Sequence, residues 1–185
     1  MKKDKKIAVI FPGIGYHCDK PLLYYSKKLA IQNGYVLQEV PYGNFPQNVK
    51  GNAEKMEQSF YTALEQAEDI LKDIVWEDYS HILFISKSIG TAVAAAYAAE
   101  HGLETRNIFY TPVEQSFRFM GREGIVFHGT SDPWVKTSAV RRGCEEKELT
   151  LYITEDANHS LETGDVQRDL ENMRTLMRLT VEYIE

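Results

Sequence analysis

Short apolar runs alternate with amphipathic stretches along the whole chain. A run that is apolar at nearly every position is typical of a strand covered on both faces. Such runs predict strands at residues 7–11, 35–40, 81–86, 107–111, 124–129 and 149–154. Between them, apolar residues recur at helical spacing and predict helices at residues 20–33, 53–74, 88–100, 134–144 and 166–184. This regular alternation indicates an α/β fold with a mainly parallel six-stranded sheet between two helical layers.

The length and composition are those of a single folded unit. A chain of 185 residues with 43% hydrophobic content predicts one domain, residues 1–185, with a core of its own. The 27 acidic residues outnumber the 21 basic ones, for a net charge of −6. This balance argues against nucleic acid or an anionic membrane as a partner. It leaves the oligomeric state open.

The cysteines and the apolar runs favour a cytoplasmic protein without a metal. No run is long enough to span a bilayer. Cys18 and Cys144 have no metal-ligand spacing, and a reduced compartment is their simplest interpretation. The glycines of Pro12–Gly15 lack the rest of a dinucleotide-binding fingerprint, so no cofactor is expected either.

Three chemically useful side chains follow different predicted strands. In an open parallel sheet, ligands bind at the carboxyl ends of the strands. A serine (Ser88) follows the third strand, an aspartate (Asp132) the fifth and a histidine (His159) the sixth. A further loop, Pro-Gly-Ile-Gly-Tyr at 12–16, follows the first strand. We therefore expect these loops to meet at one edge of the sheet.

Each of the three residues also has a structural interpretation. Ser88 could only cap the helix that follows it. Asp132 precedes Pro133, and this pair is a good start for a helix. His159 could be an ordinary surface-loop histidine. Glu114, after the fourth strand, is an alternative acid.

The chain order Ser, Asp, His on this pattern resembles a small α/β-hydrolase without a cap, similar to the dienelactone-hydrolase-like branch. The resemblance rests on SKSIG at 86–90, HGTSDPWV at 128–135 and ANHSLE at 157–162. It implies strand order 2-1-3-4-5-6, without the first two strands of the full fold. The usual turn around the nucleophile is G-x-S-x-G, whereas Ser86 stands at the first glycine here. Only residues 112–123 separate the fourth and fifth strands, which leaves no room for a cap.

The resemblance also implies a role for each residue of the site. Ser88 would be the nucleophile, His159 its base and Asp132 the acid that orients the base. The remaining implied positions are the oxyanion donors Ile14 and Ile89 and the substrate-binding residues Gly13, Gly15, Tyr16 and His17.

The implied reaction is hydrolysis of a small carboxylic ester or thioester through an acyl-enzyme, with no cofactor and no metal. Two alternatives stay open: an acyltransferase with the same three residues, and an inactive binding module with this fold. Lys87 lies beside the serine, but no S-x-x-K pattern begins at Ser86 or Ser88. It is interpreted as a local residue of the turn and not as a base.

Overall fold

The protein is described by a computed structural model that covers residues 4–185. Its sheet has six strands in the order β2-β1-β3-β4-β5-β6, and every neighbouring pair is parallel. The predicted order is confirmed. The strands are β1 (Lys6–Phe11), β2 (Tyr35–Glu39), β3 (His81–Lys87), β4 (Arg106–Tyr110), β5 (Ile125–Gly129) and β6 (Thr150–Thr154).

Within residues 4–185, four α-helices lie between strands and a fifth follows β6. They are α1 (Pro21–Gln32), α2 (Ala53–Leu71), α3 (Ile89–Glu100), α4 (Thr137–Lys147) and α5 (Val166–Ile184). Two short 3₁₀ helices lie at Trp76–Asp78 and Glu114–Arg118. In the described residues, no helix is long and apolar enough to cross a membrane.

Successive residues of the central strands face opposite layers, which explains their continuous apolar runs. Ile10 and Ile85 pack in the core shared with α1 and α5. Their neighbours Val9 and Phe84 pack on the opposite face, in the core shared with α2 and α3. A third cluster fills the space under α4. The sheet is therefore covered on both faces, as the predicted three-layer arrangement requires.

The start of α4 differs from the prediction. The pattern predicted a helix from Trp134, whereas α4 begins at Thr137 after an extended Lys136. The backbone N–H of Trp134 instead donates to Asp132 Oδ1 over 2.8 Å, so the aspartate closes a local turn ahead of the helix. Residues 133–136 belong to this loop, and Pro133 is not the first residue of a helix.

Gly90 fits where any side chain would collide with the backbone. A Cβ built at Gly90 would overlap the carbonyl oxygens of Phe11 and Pro12, because α3 starts directly against the end of β1. We expect Gly90→Ala to lower the free energy of unfolding by about 3 kcal/mol, as forced overpacking does. Gly121→Ala is the matched control: it meets no atom within 4 Å and should change stability by less than about 0.5 kcal/mol. Denaturant unfolding of both variants checks this, and equal stabilities would contradict it.

Candidate active site

Ser88 lies on a strained turn between β3 and α3. Its backbone has φ 56° and ψ −126°, a conformation that side chains other than glycine rarely adopt. The backbone N–H of Ser88 donates to the Tyr110 carbonyl of the neighbouring strand over 3.0 Å. Although Ser88 is the residue that precedes α3, its side chain makes no capping hydrogen bond. The interpretation of Ser88 as a mere helix cap is therefore wrong.

Ser86 occupies the first glycine position of the usual turn without blocking it. Its side chain is fully buried, and its hydroxyl donates to the carbonyl of Ile108 on β4 over 3.3 Å. The hydroxyl is thus satisfied within the sheet and lies apart from the hydrogen bonds of Ser88. A serine is accommodated here because it is small and can bond to a strand neighbour.

Ser88, His159 and Asp132 form one continuous chain of hydrogen bonds. His159 Nε2 lies 2.8 Å from Ser88 Oγ, and His159 Nδ1 lies 2.7 Å from Asp132 Oδ2. The indole ring of Trp134 stacks on the imidazole, with ring centroids 5.3 Å apart. This is the geometry by which a nucleophile, a base and an orienting acid act together.

The two loops that carry the aspartate and the histidine are joined by their backbones. A Cβ at Gly129 would overlap the carbonyl oxygen of Ala157, so the loops can approach only because this residue is glycine. The N–H of Ser131 donates to the same carbonyl over 2.9 Å. Thr111 Oγ1 donates to the carbonyl of His159 over 2.9 Å and anchors that loop to the end of β4. These contacts fix the distance between the acid and the base.

The alternative acid lies elsewhere. Glu114 is exposed and interacts with Arg142 at 3.5 Å, whereas the Asp132 side chain is fully buried against His159. His159 therefore has Asp132 and not Glu114 as its carboxylate partner.

The surroundings of His159 and Asp132 favour a neutral imidazole and an ionised aspartate. Burial, reinforced by the positive charges of Lys87 and Lys50, lowers the pKa of His159 below its ordinary value despite the bond to Asp132. Burial opposes ionisation of Asp132, but the hydrogen bonds from His159 and from the N–H of Trp134 outweigh it. The pKa of Asp132 is lowered as a result.

The first loop borders Ser88 through its glycines. A Cβ at Gly13 would lie 3.0 Å from the Cβ of Ser88, so this loop packs directly on the strained turn. Gly15 adopts φ +72°, which lets the chain reverse there. Tyr16 pairs its backbone with that of Gly13, and its hydroxyl accepts a hydrogen bond from the N–H of Leu22 over 3.1 Å.

Two backbone N–H groups beside Ser88 are available to a ligand. Within residues 4–185, the N–H of Ile14 donates no hydrogen bond. Ile89 is the first residue of α3, and the N–H groups of a first helical turn have no partner in their own helix. Both residues line the cleft that contains Ser88, as predicted oxyanion donors must.

This cleft has a volume of about 210 Å³. Its lining includes Ser88, His159 and Trp134 together with the predicted Gly15 and Tyr16. The predicted His17 does not line it: the side chain is exposed, and its Nδ1 accepts a hydrogen bond from the N–H of Asp19 over 3.2 Å.

Lys87 also lines the cleft, which the sequence did not suggest. It is 1% exposed, although it directly precedes Ser88. Its Nζ lies 4.9 Å from the centroid of the Tyr16 ring. The only available signal was its place at the end of an apolar strand, where a buried side chain is expected. Across residues 4–185, no group of three or more histidines, cysteines or acidic residues could hold a metal ion.

Comparison with known proteins agrees with the fold. The sequence matches no protein-family model and no curated protein. Similar solved structures include an α/β serine hydrolase homologue from Coxiella burnetii, with TM-score 0.67, 15% identity, and coverage of 97% of this chain and 86% of that one. Est1E from Butyrivibrio proteoclasticus, solved with ferulic acid bound, gives TM-score 0.66, 13% identity, and coverage of 98% and 91%. A serine hydrolase without a lid from Xanthomonas campestris gives TM-score 0.60, 15% identity, and coverage of 97% and 84%.

These similarities establish the class of fold. The protein has the α/β-hydrolase fold, including the strand order that the sequence predicted. The small capless proteins that the sequence resembles share this architecture.

Proposed function

We propose that the protein is a serine hydrolase that cleaves a small carboxylic ester or thioester through an acyl-enzyme on Ser88. The observation that carries this proposal is the unbroken hydrogen-bonded chain from Ser88 through His159 to Asp132, built on a strained turn. A serine that served only the fold would not need a base at 2.8 Å.

The reaction begins with attack of Ser88 Oγ on the carbonyl carbon of the ester. His159 Nε2 takes the hydroxyl proton as the carbon–oxygen bond forms, and Asp132 stabilises the resulting imidazolium without accepting its proton. The tetrahedral intermediate then expels the alcohol or thiol, which receives that proton from His159. Water, deprotonated by His159, attacks the acyl-enzyme in the same way. This second attack releases the carboxylic acid, and His159 returns the proton to Ser88.

The negative charge on the carbonyl oxygen needs donors that are already in place. The N–H groups of Ile14, on the first loop, and Ile89, in the first turn of α3, are the proposed pair. Loss of one such donor typically lowers kcat by about 10²–10³-fold.

An apolar groove favours an ester with a hydrocarbon portion. This groove, about 230 Å³ in volume, shares Met56 and Ile89 with the lining of the Ser88 cleft and therefore borders it. The stacked rings of Phe60 and Phe119, 5.3 Å apart, are part of its wall. Burial of methylene groups against such a wall stabilises a bound chain.

A panel of para-nitrophenyl esters and the corresponding thioesters, from acetyl to octanoyl, tests the proposed reaction. We expect saturable turnover, with kcat/KM rising several-fold from the acetyl to the medium-chain substrates as methylene groups enter the groove. Heat-denatured protein is the control for uncatalysed cleavage. Rates no higher than those of the denatured sample across the panel would contradict the proposal.

The pH dependence follows from the lowered pKa of His159. The base must be neutral to accept the serine proton, so kcat/KM should rise with pH as the imidazolium loses its proton. Because burial places this pKa below the ordinary value of 6.5, the half-maximal rate should lie below pH 6.5. Initial rates with a neutral ester between about pH 4.5 and about pH 8 measure it. A half-maximal rate well above pH 7 would contradict this assignment of the base.

A further inference from the structure

Lys87 is a buried cation without a partner. Its side chain is 1% exposed and lines the cleft beside Ser88. Among residues 4–185 it makes no ion pair and no side-chain hydrogen bond; its Nζ lies only over the face of Tyr16, 4.9 Å from the ring centroid. A lysine placed for structural reasons is usually exposed or paired.

This position is unfavourable for an ammonium group. Removing a charge from water costs free energy, and a single cation–π contact returns only part of that cost. Burial accordingly lowers the pKa of Lys87 to about 7, although the carboxylates of Asp132 and Glu162 act in the opposite direction. Neither carboxylate is close enough for an ion pair, and Asp132 is already bonded to His159. A methionine would fill the same space without this penalty.

The surroundings of Lys87 add further positive charge. Lys20 also lines the cleft, with Nζ 5.8 Å from the centroid of the same Tyr16 ring. Lys50 lies over Trp134 with its Nζ 5.8 Å from the ring centroid. In the described part of the chain neither lysine forms an ion pair, whereas the whole sequence has a net charge of −6. These lysines therefore place positive charge at the cleft of a protein whose net charge is negative.

We propose that Lys87 determines specificity by binding a negatively charged oxygen group of the substrate, a carboxylate or a phosphate-like group, a few atoms from the scissile bond. The inference rests on the proposed esterase reaction at Ser88. The bound anion supplies the partner that Lys87 lacks and keeps its ammonium group protonated. Lys20, which is exposed and also lines the cleft, adds to the attraction for an anion.

Three substrates of matched chain length test the proposal. They are the para-nitrophenyl monoester of adipic acid, the uncharged para-nitrophenyl hexanoate, and the analogue with a terminal phosphonate. Each is assayed with the wild type, Lys87→Met, Lys87→Arg and Lys28→Met. Lys28 is the matched control because it lies over the ring of Tyr24 at 5.4 Å, is exposed, and is outside the cleft.

We expect the wild type to prefer an anionic ester over the hexanoate by about 10–100-fold in kcat/KM, the range of a charge-assisted hydrogen bond. Lys87→Met should reduce this ratio to about one, mainly by raising KM for the anionic ester. Lys87→Arg should keep part of the preference, and Lys28→Met should keep all of it. The two anionic esters show whether carboxylate or phosphonate is the better ligand, and a preference for either supports the proposal. No anionic preference in the wild type, or a preference that Lys87→Met leaves intact, would overturn it.

A binding measurement tests whether Lys87 binds an anionic group, and it does not require the protein to turn over an ester. Adipic acid monoamide and hexanamide, which have no ester bond to cleave, are titrated into the wild type and Lys87→Met and followed by NMR. Tighter binding of the anion by at least about 10-fold, lost in Lys87→Met, supports the inference even if no ester is turned over and the proposed reaction fails. If Lys87→Met does not fold, the wild-type comparison alone decides it. Equal affinities for the two probes would overturn the inference without affecting the proposed role of Ser88.

Discussion

Replacement of Ser88 by alanine is expected to lower kcat for ester hydrolysis by on the order of 10⁶-fold, as removal of a serine nucleophile does elsewhere. The variant loses the atom that forms the acyl bond and keeps the rest of the cleft. His159→Ala should cost about as much, and the double variant should cost little more, because the two residues act as a unit. Steady-state rates with the best ester of the panel measure all three variants.

Ser80→Ala is the control for this experiment. Ser80 is exposed and follows a 3₁₀ helix at the opposite end of β3, where its hydroxyl bonds to Asp4. It should retain wild-type kcat. Residual activity of Ser88→Ala above about a hundredth of the wild type, in a sample free of contaminating esterase, would assign the nucleophile to another group.

Asp132→Asn is expected to lower kcat by about 10⁴-fold without a comparable loss of stability. The amide has the same shape as the carboxylate, but it cannot stabilise the imidazolium and favours the wrong tautomer of His159. The bond of 2.7 Å from Asp132 Oδ2 to His159 Nδ1 fixes which ring nitrogen carries the proton. The kcat of the purified variant and its thermal midpoint together separate a catalytic loss from an unfolded sample.

Glu114→Gln is the matched control, because it makes the same chemical change at the alternative acid. Glu114 interacts only at the surface, with Arg142, so its amide variant should keep wild-type kcat. If Glu114→Gln lost activity and Asp132→Asn did not, the assignment of the acid would be reversed.

The sheet could be predicted from the sequence because its physical signal is local and repeated. Residues 82–85 are apolar on both faces, and so are residues 7–11 of β1 and 108–110 of β4, which favours burial in the middle of a parallel sheet. The strand order came from the family resemblance and not from the apolar pattern. The sheet edge at which Ser88, Asp132 and His159 meet followed from the direction of parallel strands.

The remaining features depend on contacts that a linear pattern does not record. Asp132 and Pro133 look like a helix start, but the carboxylate is engaged by His159 and by the N–H of Trp134. The local sequence pattern does not show that His159 engages this carboxylate. His17 is exposed just beyond the backbone pairing of Gly13 with Tyr16, and the linear pattern shows neither the pairing nor the exposure. The isolation of Lys87 similarly becomes visible only when the neighbouring loops are in place.

Intact-mass measurement after reaction with a fluorophosphonate shows whether Ser88 is an activated nucleophile. We expect one adduct on the wild type at about neutral pH, and none on Ser88→Ala or His159→Ala, because the phosphorus is attacked only by a serine with a working base. Ser80→Ala should be labelled like the wild type. A folded wild-type protein that stays unlabelled, or an adduct that survives in Ser88→Ala, would show that Ser88 is not the activated nucleophile.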